Sequence, residues 1–260
     1  MQDMPHRLLV LDNASTDGTT ELAAARADRL ESIPTGAYVP GRVLNRGMDL
    51  TDGEVVVFLN SDCTPIDAGW LRHLIEPFAD PGVCATFGRQ EPRPGCPPLE
   101  AKDLLETYGE GHRQARWKHC FSMASSAIRR SVWATLRFDE TLKYSEDIDW
   151  SWRARQQGHR IKFAPESRAY HSHAYSLRQV YKRHFGEGNA EARIFAWSDW
   201  ESSFVRYALI PYARQVWSDV RYCVRQGLLM GALEAPVFRL AQALGRRAGF
   251  IEGRRVGGAA

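Results

Sequence analysis

The apolar run 55–59, Val-Val-Val-Phe-Leu, ends abruptly in Asn60-Ser61-Asp62. A strand without polar interruption reads as central and parallel, and a carboxylate at its exit stands where open α/β sheets place ligand chemistry. Asn, Ser, Asp and Pro also make turns for local reasons, so Asp62 by itself has an equally good reading as a turn or cap residue. A second acidic group alters the balance. Glu146, Asp147 and Asp149 follow Ser145, precede Arg153 and Arg155, and lead to Gly158; this reads as a helix capped by Ser145, opening on carboxylates and stopped by the glycine. Asp12, after the apolar residues 8–11, adds a third acidic strand end.

The elements that would position these groups alternate between strand and helix. Residues 8–11 form a short strand, and Asp12 to Thr19 a polar turn into a helix over 20–29, which is half of a nucleotide-binding βαβ unit. A loop and helix within 38–52 carry Arg42, Asn45 and Arg46, ahead of the strand at 55–59. A helix over 69–78, a strand over 83–87, a Pro- and Gly-rich loop over 89–98 and a helix over 99–113 follow. The last strand, 161–164, leads through Pro165 to His171 and His173. The alternation predicts an α/β mixed sheet flanked by helices over 1–195, with a helical region over 196–260.

Composition bounds the rest. The chain has 260 residues, 44% hydrophobic and 25% charged, enough for one large domain or one domain with an appendage. A net charge of +3 without a clustered basic face argues against nucleic acid as a partner. Five cysteines, none in a Cys-x-x-Cys pair, suggest neither a zinc site nor a disulfide framework, and fit a reducing, cytoplasmic compartment. The N-terminus has no signal-like apolar segment, and no stretch reaches the roughly 18 apolar residues of a membrane span. Residues 201–260 carry nine arginines against four acids, interleaved with aromatic and aliphatic residues. That mixture suits helices lying on an anionic membrane at its inner face, and equally helices packed on the main domain with Arg facing water.

With these pieces in order, the chain resembles family 2 glycosyltransferases of the GT-A fold, in particular the bacterial rhamnosyltransferase-like branch. The resemblance rests on residues 9–19, on 53–62, on Phe138-Asp139-Glu140, on 146–150, and on Arg153, Gly158 and His171. It implies inverting transfer of a sugar from a nucleoside diphosphate sugar to a hydroxyl of a glycan or lipid-linked acceptor, in cell-surface polysaccharide assembly. Asp62 matches the last residue of the family's Asp-x-Asp metal motif, with Asn60 in place of the first. His171 stands where some members carry a metal-binding histidine, so that Asp62 and His171 would hold Mn or Mg. Asp147 matches the position of the base that removes the acceptor proton, with Glu146 beside it. Asp12 and Asp17, Arg42 and Asn45, and Asn60 and Ser61 fall where the family contacts the donor nucleotide. Of Trp150 and Trp152, one is expected in the core and the other as the floor of an acceptor site.

The family pattern normally opens with a strand and helix that this sequence lacks, about thirty-five residues by the size of a βα unit. Either the sequence starts late or the protein is a shortened relative. That departure keeps open a catalytically silent GT-A-like scaffold, whose open strand edge would invite another chain. A nucleotidyltransferase or phosphohydrolase is the third reading, disfavoured because no phosphate-cradling Gly-rich loop appears.

Overall fold

The computed structural model describes residues 2–109 and 120–257. The chain divides into two compact units, Met1–Pro92 with Leu104–His171, and Arg93–Asp103 with Ser172–Ala260. The helix that follows His171 packs with the C-terminal helices and so falls in the second unit.

In the first unit β1 (Leu9–Asp12) pairs in parallel with β2 (Arg29–Ser32). The helix expected over 20–29 is shorter, α1 (Thr19–Ala24), and Arg29 already belongs to the strand. After α2 (Pro40–Asp49) come β3 (Val55–Leu59), β4 (Thr64–Pro65), β5 (Val83–Glu91), β6 (Ser125–Arg129) and β7 (Arg160–Tyr170), which form a mixed sheet of order β3-β6-β5-β7-β4. β3 lies at one end of this sheet and runs antiparallel to β6, so its apolar character does not mark a central parallel strand. Its side chains are covered instead from both faces. Val56 and Phe58 belong with the cluster around Met48, Phe121 and Trp150, and Val55 and Val57 with the one around Trp70 and Leu74.

The sequence suggested strand ends at Phe87 and Ala164, but β5 and β7 both run on. Pairing passes from Gly88↔Ala164 to Arg89↔Arg168, so Pro165, Glu166 and Ser167 bulge out of the ladder, an arrangement in which a strand tolerates proline. The ladder then resumes through Gln90 and Glu91, and the Pro- and Gly-rich loop is correspondingly shorter. α3 (Trp70–Ile75) gives way to a 3-10 turn at Pro77, while α5 (Arg130–Thr135) and α6 (Glu146–Gln156) complete the unit. The helix predicted over 99–113 is α4 (Pro98–Leu104) continued by a π turn over Leu105–Gly109, and its last residues lie outside the described ones.

The second unit is helical: α7 (Leu177–Ile194), a π turn at Val205–Leu209, α8 (Ile210–Arg225) and α9 (Leu229–Gly257). α7 and α9 pack backbone to backbone. A Cβ on Gly245, Gly249 or Gly253 would meet the carbonyl of Tyr181, Phe185 or Asn189, and the Gly249 contact would be only 1.8 Å. Both series advance by four residues, so the two helices run parallel, with one glycine per turn of α9 against α7. Arg239, buried beside them, is bonded to Asp103 and to the fully buried Asp219, which Lys102 also reaches at 3.0 Å. Among the described residues no helix is long and apolar enough to cross a membrane.

Candidate active site

Strand register assembles the first half of the site. β4 pairs Thr64 with Tyr170 and Pro65 with Ala169, and one further step of that antiparallel register sets Cys63 across from His171. Asn60 accepts from the Cys63 amide at 2.9 Å, closing Asn60-Ser61-Asp62-Cys63 as a tight turn between β3 and β4. The turn residues suit this, since Asn, Ser and Asp tolerate it locally. The donor atoms of Asp62, Cys63 and His171 consequently lie within 4.8 Å of one another, a spacing that suits one shared cation.

His171 is aimed by the strands behind it. Its backbone amide donates to Glu91 at 2.9 Å, and its Nδ1 lies 2.7 Å from Oε1 of Gln90. Gln90 is fully buried and donates its own amide to Ser122 at 2.8 Å. With Nδ1–H given to Gln90, Nε2 presents its lone pair to Oδ2 of Asp62 at 3.7 Å. Two acceptors so placed call for a cation between them.

The second half is Glu146 and Asp147, at the start of α6. The Met123 amide donates to Oδ2 of Asp147 at 3.4 Å, and the Ile148 amide to Oδ1 at 2.8 Å. Ser145, which precedes them, has φ 58° and makes no side-chain cap, contrary to the capping role its residue type suggested. A left-handed non-glycine residue is strained, and such residues collect at functional sites. Ala14, in the loop after Asp12, is the other among the described residues, with φ 54°.

The segment Ser122-Met123-Ala124 ties both halves together. Ser122 supports the Gln90–His171 pair, Met123 holds Asp147, and the Ala124 carbonyl accepts from Asn60 at 3.0 Å. No motif in the sequence marks this segment, because two of its three contacts use the backbone. Tyr38 also escaped the sequence reading. Although Tyr38 is half exposed, partial desolvation, then the charges of Glu146 and Asp62, raise its phenol above the ordinary value.

Asp12 is buried at the end of β1 and accepts from the Ser15 amide at 3.3 Å and from Thr20 Oγ1 at 2.8 Å. Hydrogen bonds from Ser15, then Thr20, hold its carboxyl below the usual range. Asp17 is exposed and spends one oxygen on Thr19, bonding its amide at 3.1 Å and its hydroxyl at 2.6 Å. Ser61 is exposed at the tip of the Asn60 turn.

Two expected ligand residues, Asn45 and Trp150, are engaged inside the protein. Asn45 is buried, donating to the Phe138 carbonyl at 3.0 Å and Glu140 at 2.9 Å while accepting from Trp133 Nε1 at 3.0 Å and the Phe138 amide at 3.1 Å. Its amide has no capacity left for a nucleotide; it fastens the Phe138–Glu140 turn, which Gly41 lets approach so closely that a Cβ there would lie 2.0 Å from the Asp139 carbonyl. Arg42, half exposed, stands 3.9 Å from the other oxygen of Glu140. Trp150 is fully buried between Phe121 and Phe138, with Nε1 bonded to the Leu136 carbonyl at 2.7 Å, and floors no acceptor site. Trp152 is half-buried. Asp149 turns inward to Arg153 at 2.7 Å.

Against known proteins, residues 2–137 match the family model described as glycosyl transferase family 2. The O-antigen chain rhamnosyltransferase RfbN of Salmonella typhimurium is 27% identical over 196 residues, 71% of this chain and 62% of that protein. The O-antigen chain rhamnosyltransferase WbaN of Salmonella anatum is 28% identical over 197 residues, 72% of this chain and 62% of that one. The chain thus spans less than two thirds of the length of these relatives. Among solved structures, the mannosyltransferase PcManGT from Pyrobaculum calidifontis, in complex with GDP-Man and Mn2+, covers 98% of this chain and 79% of its own, with TM-score 0.60 and 18% identity. The glucosyl-3-phosphoglycerate synthase of Mycobacterium tuberculosis, in complex with Mn2+, UDP and glucosyl-3-phosphoglycerate, covers 74% of this chain and 70% of its own, with TM-score 0.52 and 19% identity. The two likenesses show a GT-A fold, as the mixed sheet with flanking helices does, and the matched family model shows the lineage: the chain belongs to glycosyl transferase family 2.

Proposed function

We propose that the chain transfers a sugar from a nucleoside diphosphate sugar to an acceptor hydroxyl with inversion at the anomeric carbon. The observation that carries this reading is the Gln90–His171–Asp62 chain, which aims a histidine lone pair at a carboxylate, while the same Ser122–Ala124 segment that supports it holds Asp147. Asp62 and His171, with Cys63 in reach, would hold a divalent cation. Bound there, Mn or Mg would neutralise the charge that builds on the departing diphosphate. Asp147 accepts the proton of the attacking hydroxyl, and Glu146 beside it raises the local negative charge that favours proton uptake. Asp12, kept ionised by its hydrogen bonds, suits recognition of donor N–H groups of the base.

The Salmonella relatives named for O-antigen chains support a glycan or lipid-linked acceptor in cell-surface polysaccharide assembly, with the chain working from the cytoplasmic face of the membrane. The chain's 1–195 part would carry the chemistry and 196–260 the attachment. Trp152, half-buried in the middle of α6, is the remaining candidate for stacking on an acceptor sugar.

The test is release of nucleoside diphosphate from UDP-, dTDP- and GDP-sugars by the purified chain with manganese and a lipid-linked oligosaccharide extract, wild type against Asp147→Asn. Loss of turnover at unchanged donor affinity supports the base role. Equal turnover in the two would contradict it, and a folded wild type inert with every donor would favour the silent scaffold.

A further inference from the structure

The outward face of the π turn and α8 mixes two residue classes that a water-facing helix keeps apart. Positions 206, 214, 221 and 225 are exposed arginines, and between them, on the same three- and four-residue spacing, stand exposed Leu209, Trp217, Val224 and Leu228. Trp217 is 70% exposed and Val224 57%. A helix that merely faces water gains nothing by presenting a tryptophan there, whereas a membrane interface favours that residue with arginines around it. From 204 to 228 the sequence holds one acidic residue, Asp219, and it is fully buried against Lys102 and Arg239. Within 204–228 the exposed face therefore carries four positive charges and no negative one, with exposed Glu201 within electrostatic reach of Arg206 at its start. None of the four guanidinium groups forms an ion pair among the described residues.

Other arginines of the region do not belong to this face. Arg239 and Arg246 are spent on Asp103, Asp219 and Glu191 inside the helical unit. The mixture read from the sequence thus separates into internal ion pairs and one outward cationic, apolar strip. The strip continues onto the first turn of α9, where Leu229, Met230 and Leu233 are each about two thirds exposed or more.

We propose that this strip docks on a bilayer surface bearing anionic headgroups, with Trp217 inserted at the headgroup level and Arg206, Arg214, Arg221 and Arg225 on the phosphates. Charge complementarity selects this occupant over a second copy of the chain, since two such strips would set like charges against each other. The inference gives residues to the attachment suggested above and is read without any sugar nucleotide, so it stands or falls apart from the donor site.

The experiment is co-sedimentation of the full chain with vesicles of phosphatidylcholine alone or with phosphatidylglycerol. Binding is expected only with phosphatidylglycerol and should weaken as salt rises through the physiological range. The double variant Arg214→Gln/Arg221→Gln should partition about 30-fold less well, since each arginine near an anionic surface contributes about fivefold. Trp217→Ser should weaken binding, and Arg26→Gln, an exposed arginine of the other unit, should leave it unchanged. Circular dichroism confirms that each variant is folded. Equal binding to neutral vesicles, no binding to either, or a lipid-free dimer in light scattering that Trp217→Ser abolishes would each overturn the proposal.

Discussion

Nε2 of His171 faces Oδ2 of Asp62 at 3.7 Å, while its other ring nitrogen is engaged by the buried Gln90 at 2.7 Å. Partners behind a ligating histidine fix its tautomer and orientation, and losing one typically costs 10–100-fold, as an order of magnitude, in metal affinity. Gln90→Met keeps the volume and removes the acceptor. Manganese affinity, followed by the relaxation of water protons, should fall by about 10- to 100-fold in this variant. Unchanged affinity would mean that Gln90 only packs.

Cys63 gives the same cluster a softer donor than an all-oxygen site. Cobalt added to the chain should show a sulfur-to-metal charge-transfer band in the near ultraviolet that Cys63→Ser removes, with the weaker visible bands retained. A wild-type spectrum without that band would take the thiol out of the ligand set.

Asn45 joins α2 to the Phe138–Glu140 turn through three hydrogen bonds and to Trp133 of α5 through a fourth. Asn45→Ala would strand buried partners on both sides and should cost about 2–4 kcal/mol, at roughly 1–3 kcal/mol for each unsatisfied buried group with partial rescue by water. Thermal melting should drop by about 5–15 °C on the scale for domains of this size, while the folded fraction keeps its nucleotide affinity. A selective loss of nucleotide binding at full stability would restore the ligand role.

Asp12 supplies a pH dependence. Its carboxyl is held below the ordinary value by Ser15 and Thr20, so the stability it lends is complete above about pH 4, the unfolded value, and is lost as pH falls through the lower folded one. Thr20→Val removes one donor and should move the Asp12 midpoint upward in carbon-detected NMR titration. Acid destabilisation should then begin at a higher pH. A midpoint that stays put would assign the depression to Ser15 alone.

The α7–α9 contact is tested by Gly249→Ala, whose methyl would lie 1.8 Å from the Phe185 carbonyl. Both pieces here are backbone, so no rotamer change relieves the clash, and the helices must part. The melting temperature should fall, whereas Gly95→Ala, at a left-handed loop position with open space around it, should cost only its local strain.

What the sequence made legible follows from where each signal lies. The Asp62 turn, the acidic start of α6 and Asp12 stood out because side-chain type and strand-end position coincided. His171 was found at its strand end, but its partner Gln90 was not: Pro165 hid the bulge that carries β7 onward and brings Gln90 alongside. Asn45 was assigned to the donor by its position in the family resemblance, which does not tell whether a helix side chain points to solvent or inward. Ser122–Ala124 acts largely through its backbone, which no residue pattern reveals. β3 was misplaced in the sheet because an apolar strand covered on two faces has the same composition at the end of a sheet as in its middle.

The most direct test is calorimetric titration of the folded chain with UDP, dTDP and GDP, with and without manganese, in wild type, Asp62→Ala and His171→Ala. The account predicts manganese-dependent binding of one nucleotide that both substitutions abolish or weaken by at least about tenfold. Binding that ignores manganese and survives both substitutions would contradict the donor site assigned to Asp62 and His171.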